Sequence, residues 1–122
     1  MAKILVVDDV AMVRKYLKEL LEMQGYEVFT AENGKEAMTI YKNNPVDIVI
    51  TDILMPEKDG EEMILEMKNS NPAVKIIAIS GGGILNANDT LNIVEFLDVD
   101  YTFSKPVKKE VLLKAINDIL KK

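Results

Sequence analysis

Two hydrophobic rhythms take turns along the chain. "KILVV" (Lys3 to Val7) is an unbroken aliphatic run, as expected of a strand buried on both faces. Val13, Leu17, Leu20 and Leu21 then recur at helical spacing up to Gly25, a residue suited to the left-handed turn after a helix. "EVFTA" (Glu27 to Ala31) reads as a second, more polar strand. Asn33, with Glu36 three places on, signals the start of a helix expected to bury Ala37, Ile40 and Tyr41 and to stop at "NNP". "DIVITDILMPEKDG" (Asp47 to Gly60) opens as a third strand and then delivers Asp52 before any turn residue. Met63, Ile64 and Met67 mark the next helix, and "KIIAIS" (Lys75 to Ser80) a fourth strand. A glycine run, Gly81 to Gly83, follows it, and a fourth helix is expected somewhere in Asn88 to Leu97. "YTFS" (Tyr101 to Ser104) is a short fifth strand. Val111, Leu112, Ala115, Ile116, Ile119 and Leu120 give the last helix.

Strands alternating with helices predict one α/β domain over residues 1–122, with a parallel sheet and right-handed crossovers. The first, third and fourth strands are richest in aliphatics and suit the centre; the second and fifth suit the edges. That favours a doubly wound, flavodoxin-like five-stranded sheet in the order 2-1-3-4-5. No linker, repeat or low-complexity segment interrupts it.

Composition narrows the chemistry. The 122 residues are 48% hydrophobic and 29% charged, an ordinary globular balance. The net charge of −5 offers no basic stripe for phosphates, so direct nucleic-acid binding is not expected. Without cysteine there is neither a disulfide framework nor a thiol nucleophile. Without histidine the usual general base, the commonest zinc ligand and any phosphohistidine on this chain are gone. Carboxylates, hydroxyls and lysines remain. The apolar stretch in "MAKILVVDD" is too short for a signal peptide or a membrane span, so the expected location is the cytoplasm, with no membrane partner.

In a sheet of this order, ligands bind beyond the carboxyl ends of the strands, beside the first. The first strand ends in Asp8-Asp9, the third in Asp52 and the fourth in Ser80, and Lys105-Pro106 follows the fifth. Taken singly, each has an ordinary explanation as a cap, turn or surface residue. Taken together, they make a convergent set of carboxylates, a hydroxyl and an ammonium. Asp8, Asp9 and Asp52 repel unless a cation neutralises them, and a hard ion such as Mg²⁺ suits such oxygen ligands. Asp52 can then act as a nucleophile on phosphorus, giving an aspartyl-phosphate, while Ser80 and Lys105 hold the phosphoryl oxygens.

On "ILVVDD", "DIVITDILMPEKDG", "IIAIS" and "FSKP", which fall in order over essentially the whole chain, the sequence resembles a response-regulator receiver domain of two-component signalling. The resemblance implies that Asp52 takes a phosphoryl group from the phosphohistidine of a sensor histidine kinase or phosphotransfer protein. It implies Mg²⁺ held by Asp9, Asp52 and the Leu54 carbonyl, with Asp8 acting through water. Ser80 and Lys105 would contact the phosphoryl group, and a downstream target would bind the face of the fourth helix and fifth strand. The domain would then be a switch rather than an enzyme, one that promotes its own phosphoryl transfer and autodephosphorylation. It would stand alone or form part of a longer regulator.

Two positions depart from the family pattern. Thr102 stands where many receivers carry a switch aromatic, with Tyr101 and Phe103 on either side, and Asp98 stands where glycine is frequent. Two other functions use related architecture or chemistry. A flavodoxin-like FMN carrier needs a hydroxyl and glycine loop after the first strand, where Asp8-Asp9 would repel its phosphate. An Asp-nucleophile phosphatase normally has a second acid two residues after the nucleophile, where Leu54 stands.

Overall fold

Continuous aliphatic runs form strands here because both faces of the sheet are covered, so neither side of the pleat needs polar residues. The computed structural model describes residues 2–52, 60–80, 99–104 and 107–121. In chain order they form β1 (Lys3–Val7), α1 (Ala11–Met23), β2 (Glu27–Ala31), α2 (Gly34–Asn43), β3 (Ile48–Asp52), α3 (Gly60–Ser70), β4 (Lys75–Ser80), β5 (Tyr101–Ser104) and a C-terminal helix (Lys109–Leu120). The helix expected within Asn88 to Leu97 and the Gly81 to Gly83 run lie outside the described residues.

The five strands are parallel in the order β2-β1-β3-β4-β5, as the aliphatic content predicts. The pleat divides their side chains between two cores. Leu5, Val7, Val49, Ile76 and Ala78 meet Ala37 and Met38 of α2 and Met63, Ile64 and Met67 of α3. Ile4, Val6, Ile48, Ile50, Ile77 and Ile79 meet Leu17, Leu20 and Leu21 of α1 and Leu112, Ala115, Ile116 and Ile119 of the C-terminal helix.

Two helix faces differ from the sequence reading. Val111 and Leu120 are 44% and 39% exposed. The residues that pack are Leu112, Ala115, Ile116 and Ile119, and at about 100° per residue Val111 and Leu120 fall on the flanks of that stripe. In α2, Met38 is buried beside Ala37, while Ile40 and Tyr41 are only partly covered.

The end signals hold. Gly25 has φ of 92° just beyond α1, a conformation that glycine takes without strain. Asn33 Oδ1 accepts from the Glu36 amide at 2.8 Å. The Glu36 carboxylate reaches back one residue further than a standard capping box, accepting from the Glu32 amide at 3.1 Å.

Acids also fasten the opposite end of the sheet. The Asp47 amide donates to the Lys3 carbonyl and its carboxylate accepts from the Lys3 amide, both at 2.8 Å. Asp100 treats Ile76 in the same way, at 2.9 and 2.8 Å. Each stands one residue before its strand and fixes that strand's register against a neighbour.

Candidate phosphorylation and metal site

Asp52 is still part of β3, paired with Ile79 of β4, so the sheet itself sets its position. Along β3, Ile48 and Ile50 point into the core beneath α1 and the C-terminal helix, and Asp52 continues that side of the pleat. Ile4 and Val6 of β1 do the same, with Asp8 the next in step. The β1–β3 register pairs Ile4 with Ile48 and Val6 with Ile50; one step past its last pair, Asp8 comes level with Asp52.

The three acids do converge. One carboxylate oxygen from each of Asp8, Asp9 and Asp52 lies within 4.8 Å of the other two. Asp8 and Asp52 are only 2% and 5% exposed, while Asp9 faces solvent. At 4.8 Å, two such charges repel by about 3.5 kcal/mol for an effective dielectric constant of ~20. A divalent cation reverses the sign of that interaction. Octahedral ligands at about 2.1 Å place neighbouring oxygens ~3 Å apart and opposite ones ~4.2 Å apart. Small side-chain movements or a bridging water therefore fit Mg²⁺ to this set, and hard oxygen donors are the chemistry it prefers.

Local hydrogen bonds explain why the loop after β1 takes this path. The Asp8 amide still donates to Ala31 of β2 at 3.1 Å. Its Oδ1 accepts from the Val10 amide at 2.8 Å, an Asx-type turn that leads into α1. Asp8 is thus both a turn residue and a member of the acidic set, so the two readings of a strand-end acid coexist. The Val10 carbonyl accepts from the Val13 and Arg14 amides, each at 3.1 Å. Beside Asp52, the buried Thr51 hydroxyl donates to the Asp52 carbonyl at 2.8 Å.

Ser80 ends β4, one position beyond the partner of Asp52, and pairs with Ser104 of β5. The sheet thus carries its backbone to the same end as the acids. Leu54 and Lys105 lie outside the described residues. Thr102 pairs with Ala78 on the α2/α3 side of the sheet. Tyr101 and Phe103 lie on the other side with ring centroids 6.0 Å apart, packed against the core under the C-terminal helix.

The sequence reading missed Arg14, whose Nη1 donates to the Asp8 carbonyl at 2.7 Å. One signal was available: α1 has no acid in its first turn and carries Arg14 and Lys15 near its amino end, where the helix dipole disfavours cations.

Five parallel strands in the order β2-β1-β3-β4-β5 give the flavodoxin-like class of fold, with a cluster of three acids at the carboxyl end of β1 and β3. The chain belongs to the response regulator receiver domain family, whose model matches residues 4–117. It is 35% identical over 119 residues to the chemotaxis protein CheY of Bacillus subtilis, covering 97% of each chain. It is 34% identical over 122 residues to the transcriptional regulatory protein GlrR of Escherichia coli K12. That match spans 98% of this chain but only 26% of GlrR. Among solved structures, the response regulator TrrA of Thermotoga maritima, crystallised with Mg²⁺ and BeF, is 32% identical. It superposes with a TM-score of 0.85 over 98% of this chain and 99% of TrrA. The FMN-carrier and phosphatase alternatives find no support in these relationships.

Proposed function

We propose that Asp52 is the residue that takes the phosphoryl group, delivered by a sensor histidine kinase or phosphotransfer protein. The observation that carries this is the register that sets Asp52 level with Asp8, two nearly buried carboxylates in one cluster with Asp9. An Asp52 carboxylate oxygen attacks phosphorus and the donor's phosphorus–nitrogen bond breaks; the ring, already protonated on its other nitrogen, takes the electron pair and leaves as neutral imidazole. Mg²⁺ held by Asp9, Asp52 and the Leu54 carbonyl, with Asp8 acting through water, would neutralise charge on both reactants. The solved TrrA complex with Mg²⁺ and BeF, on a fold this similar, supports Mg²⁺ as the cation. Ser80 and Lys105 hold the transferred phosphoryl oxygens. The backbone of Ser80 stands one step beyond the partner of Asp52, which is consistent with that role.

The domain works as a switch in the cytoplasm, with autodephosphorylation ending the signal. No helix among the described residues is long and apolar enough to cross a membrane. Phosphorylation draws Ser80 toward the site and reorganises the region from Gly81 to Ser104, where a downstream target binds. With both rings of β5 packed, partly buried, against the core under the C-terminal helix, Tyr101 and Phe103 contribute little to this change.

The test is an NMR titration with beryllofluoride and Mg²⁺. Amide shifts are expected at Asp8 to Val10 and Asp52, continuing from Gly81 through Ser104. Shifts confined to the acids, or a response erased by Thr102→Ala, would contradict the proposed switch.

A further inference from the structure

We propose that Arg14 is a positioning residue for the metal site, fixing the peptide between Asp8 and Asp9 before any cation arrives. The inference rests on the metal site proposed above and adds a residue outside its ligand set.

Hydrogen bonds of Asp8 hold the loop after β1. The Asp8 amide is tied to Ala31, and its carboxylate to the Val10 amide. The Asp8 carbonyl takes Arg14 Nη1 at 2.7 Å. That carbonyl belongs to the peptide linking Asp8 to Asp9, so its direction decides where the Asp9 side chain begins. β2 ends at Ala31, where the ladder gives way to the segment capping α2, and the guanidinium supplies a donor at that point. The bond is short and charge-assisted, which makes it stronger than a neutral one. A cation in the first turn of a helix is otherwise unfavourable, and Val10 provides no side-chain cap to α1. Anchoring the acidic loop is the compensating role.

A counter-charge role would act in the opposite direction. If Arg14 only offset the acids, removing its charge would tighten Mg²⁺ binding. If it positions them, removal weakens binding, as loss of a residue that orients metal ligands typically does.

The experiment measures Mg²⁺ affinity by amide-shift titration of the wild type, Arg14→Met and Arg14→Lys, with Asp9→Ala as the control for the site. Helical circular dichroism checks that each is folded. Arg14→Met keeps the aliphatic stem and should bind Mg²⁺ about tenfold more weakly. Arg14→Lys keeps the charge but moves the donor, and should bind more weakly than the wild type by a smaller factor. The Asp9 and Val10 amides should shift in both metal-free variants. With acetyl phosphate as donor, the loss should fall mainly on the Mg²⁺ concentration for half-maximal labelling rather than on the plateau rate. Folded Arg14→Met with unchanged or tighter Mg²⁺ binding overturns the proposal. Should that variant not fold, Arg14→Lys decides, and unchanged affinity overturns the proposal. A wild type that binds no Mg²⁺ overturns the metal site itself and this inference with it; a wild type that binds beside an unaffected Arg14→Met overturns only the role of Arg14.

Discussion

The chemistry of the acids at the strand ends depends on which end they occupy. Asp47 and Asp100 precede β3 and β5, and each spends a carboxylate on a neighbouring strand's amide. Asp8 and Asp52 stand at the other end, level with each other and joined by the exposed Asp9. Removing Asp9 relieves repulsion while taking away a proposed ligand. Asp9→Ala should therefore melt no lower than the wild type in metal-free buffer and lose the rise in Tm that bound Mg²⁺ gives. Thermal melts with and without Mg²⁺ check this; a lower Tm with the Mg²⁺ response intact would contradict the assignment. The acidic set was legible in the sequence because all three acids follow aliphatic runs whose ends the pattern fixes. Arg14 left only the weak signal of a cation at a helix amino end, because its bond goes to a backbone carbonyl, and backbone partners leave no mark on residue periodicity. Asp47 and Asp100 were missed for the same reason.

Among elements, the strands were easier to read than the helix faces. A central strand buried on both sides needs a continuous apolar run, and β1, β3 and β4 carry one at Ile4 to Val7, Ile48 to Ile50 and Ile76 to Ile79. A helix buries one stripe, and a flanking apolar residue looks the same in sequence whether or not it reaches the core. Leu112 and Val111 make this measurable. Leu112 is 1% exposed, and Leu112→Ala should cost about 2–5 kcal/mol through lost burial and the cavity left behind. Val111, 44% exposed, should cost within about 0.5 kcal/mol when changed to Ala. Urea denaturation of the two variants checks the contrast; equal losses would mean that the helix faces the sheet differently. The cap of α2 offers a second measurement. Asn33→Ala removes the acceptor for the Glu36 amide and should cost about 1 kcal/mol in the same assay. No loss would show that water or the Glu36 carboxylate satisfies that end equally well.

Across the whole molecule, strand order turns residues far apart in sequence into one site. Asp8 and Asp52 are separated by α1, β2 and α2, yet β1 and β3 are adjacent in the sheet. The aliphatic ranking of the strands made that adjacency readable, and the register then leaves little freedom in where the two acids meet. Where the two acids meet, Asp52 is the proposed phospho-acceptor. The most direct measurement is incubation with acetyl phosphate and Mg²⁺, followed by intact mass and site mapping, on the wild type and on Asp52→Asn. The wild type should gain one phosphoryl group, mapped to Asp52 and absent when EDTA is present, and Asp52→Asn should gain none. Labelling of Asp52→Asn at the wild-type rate, or labelling that proceeds undiminished in EDTA, would contradict it.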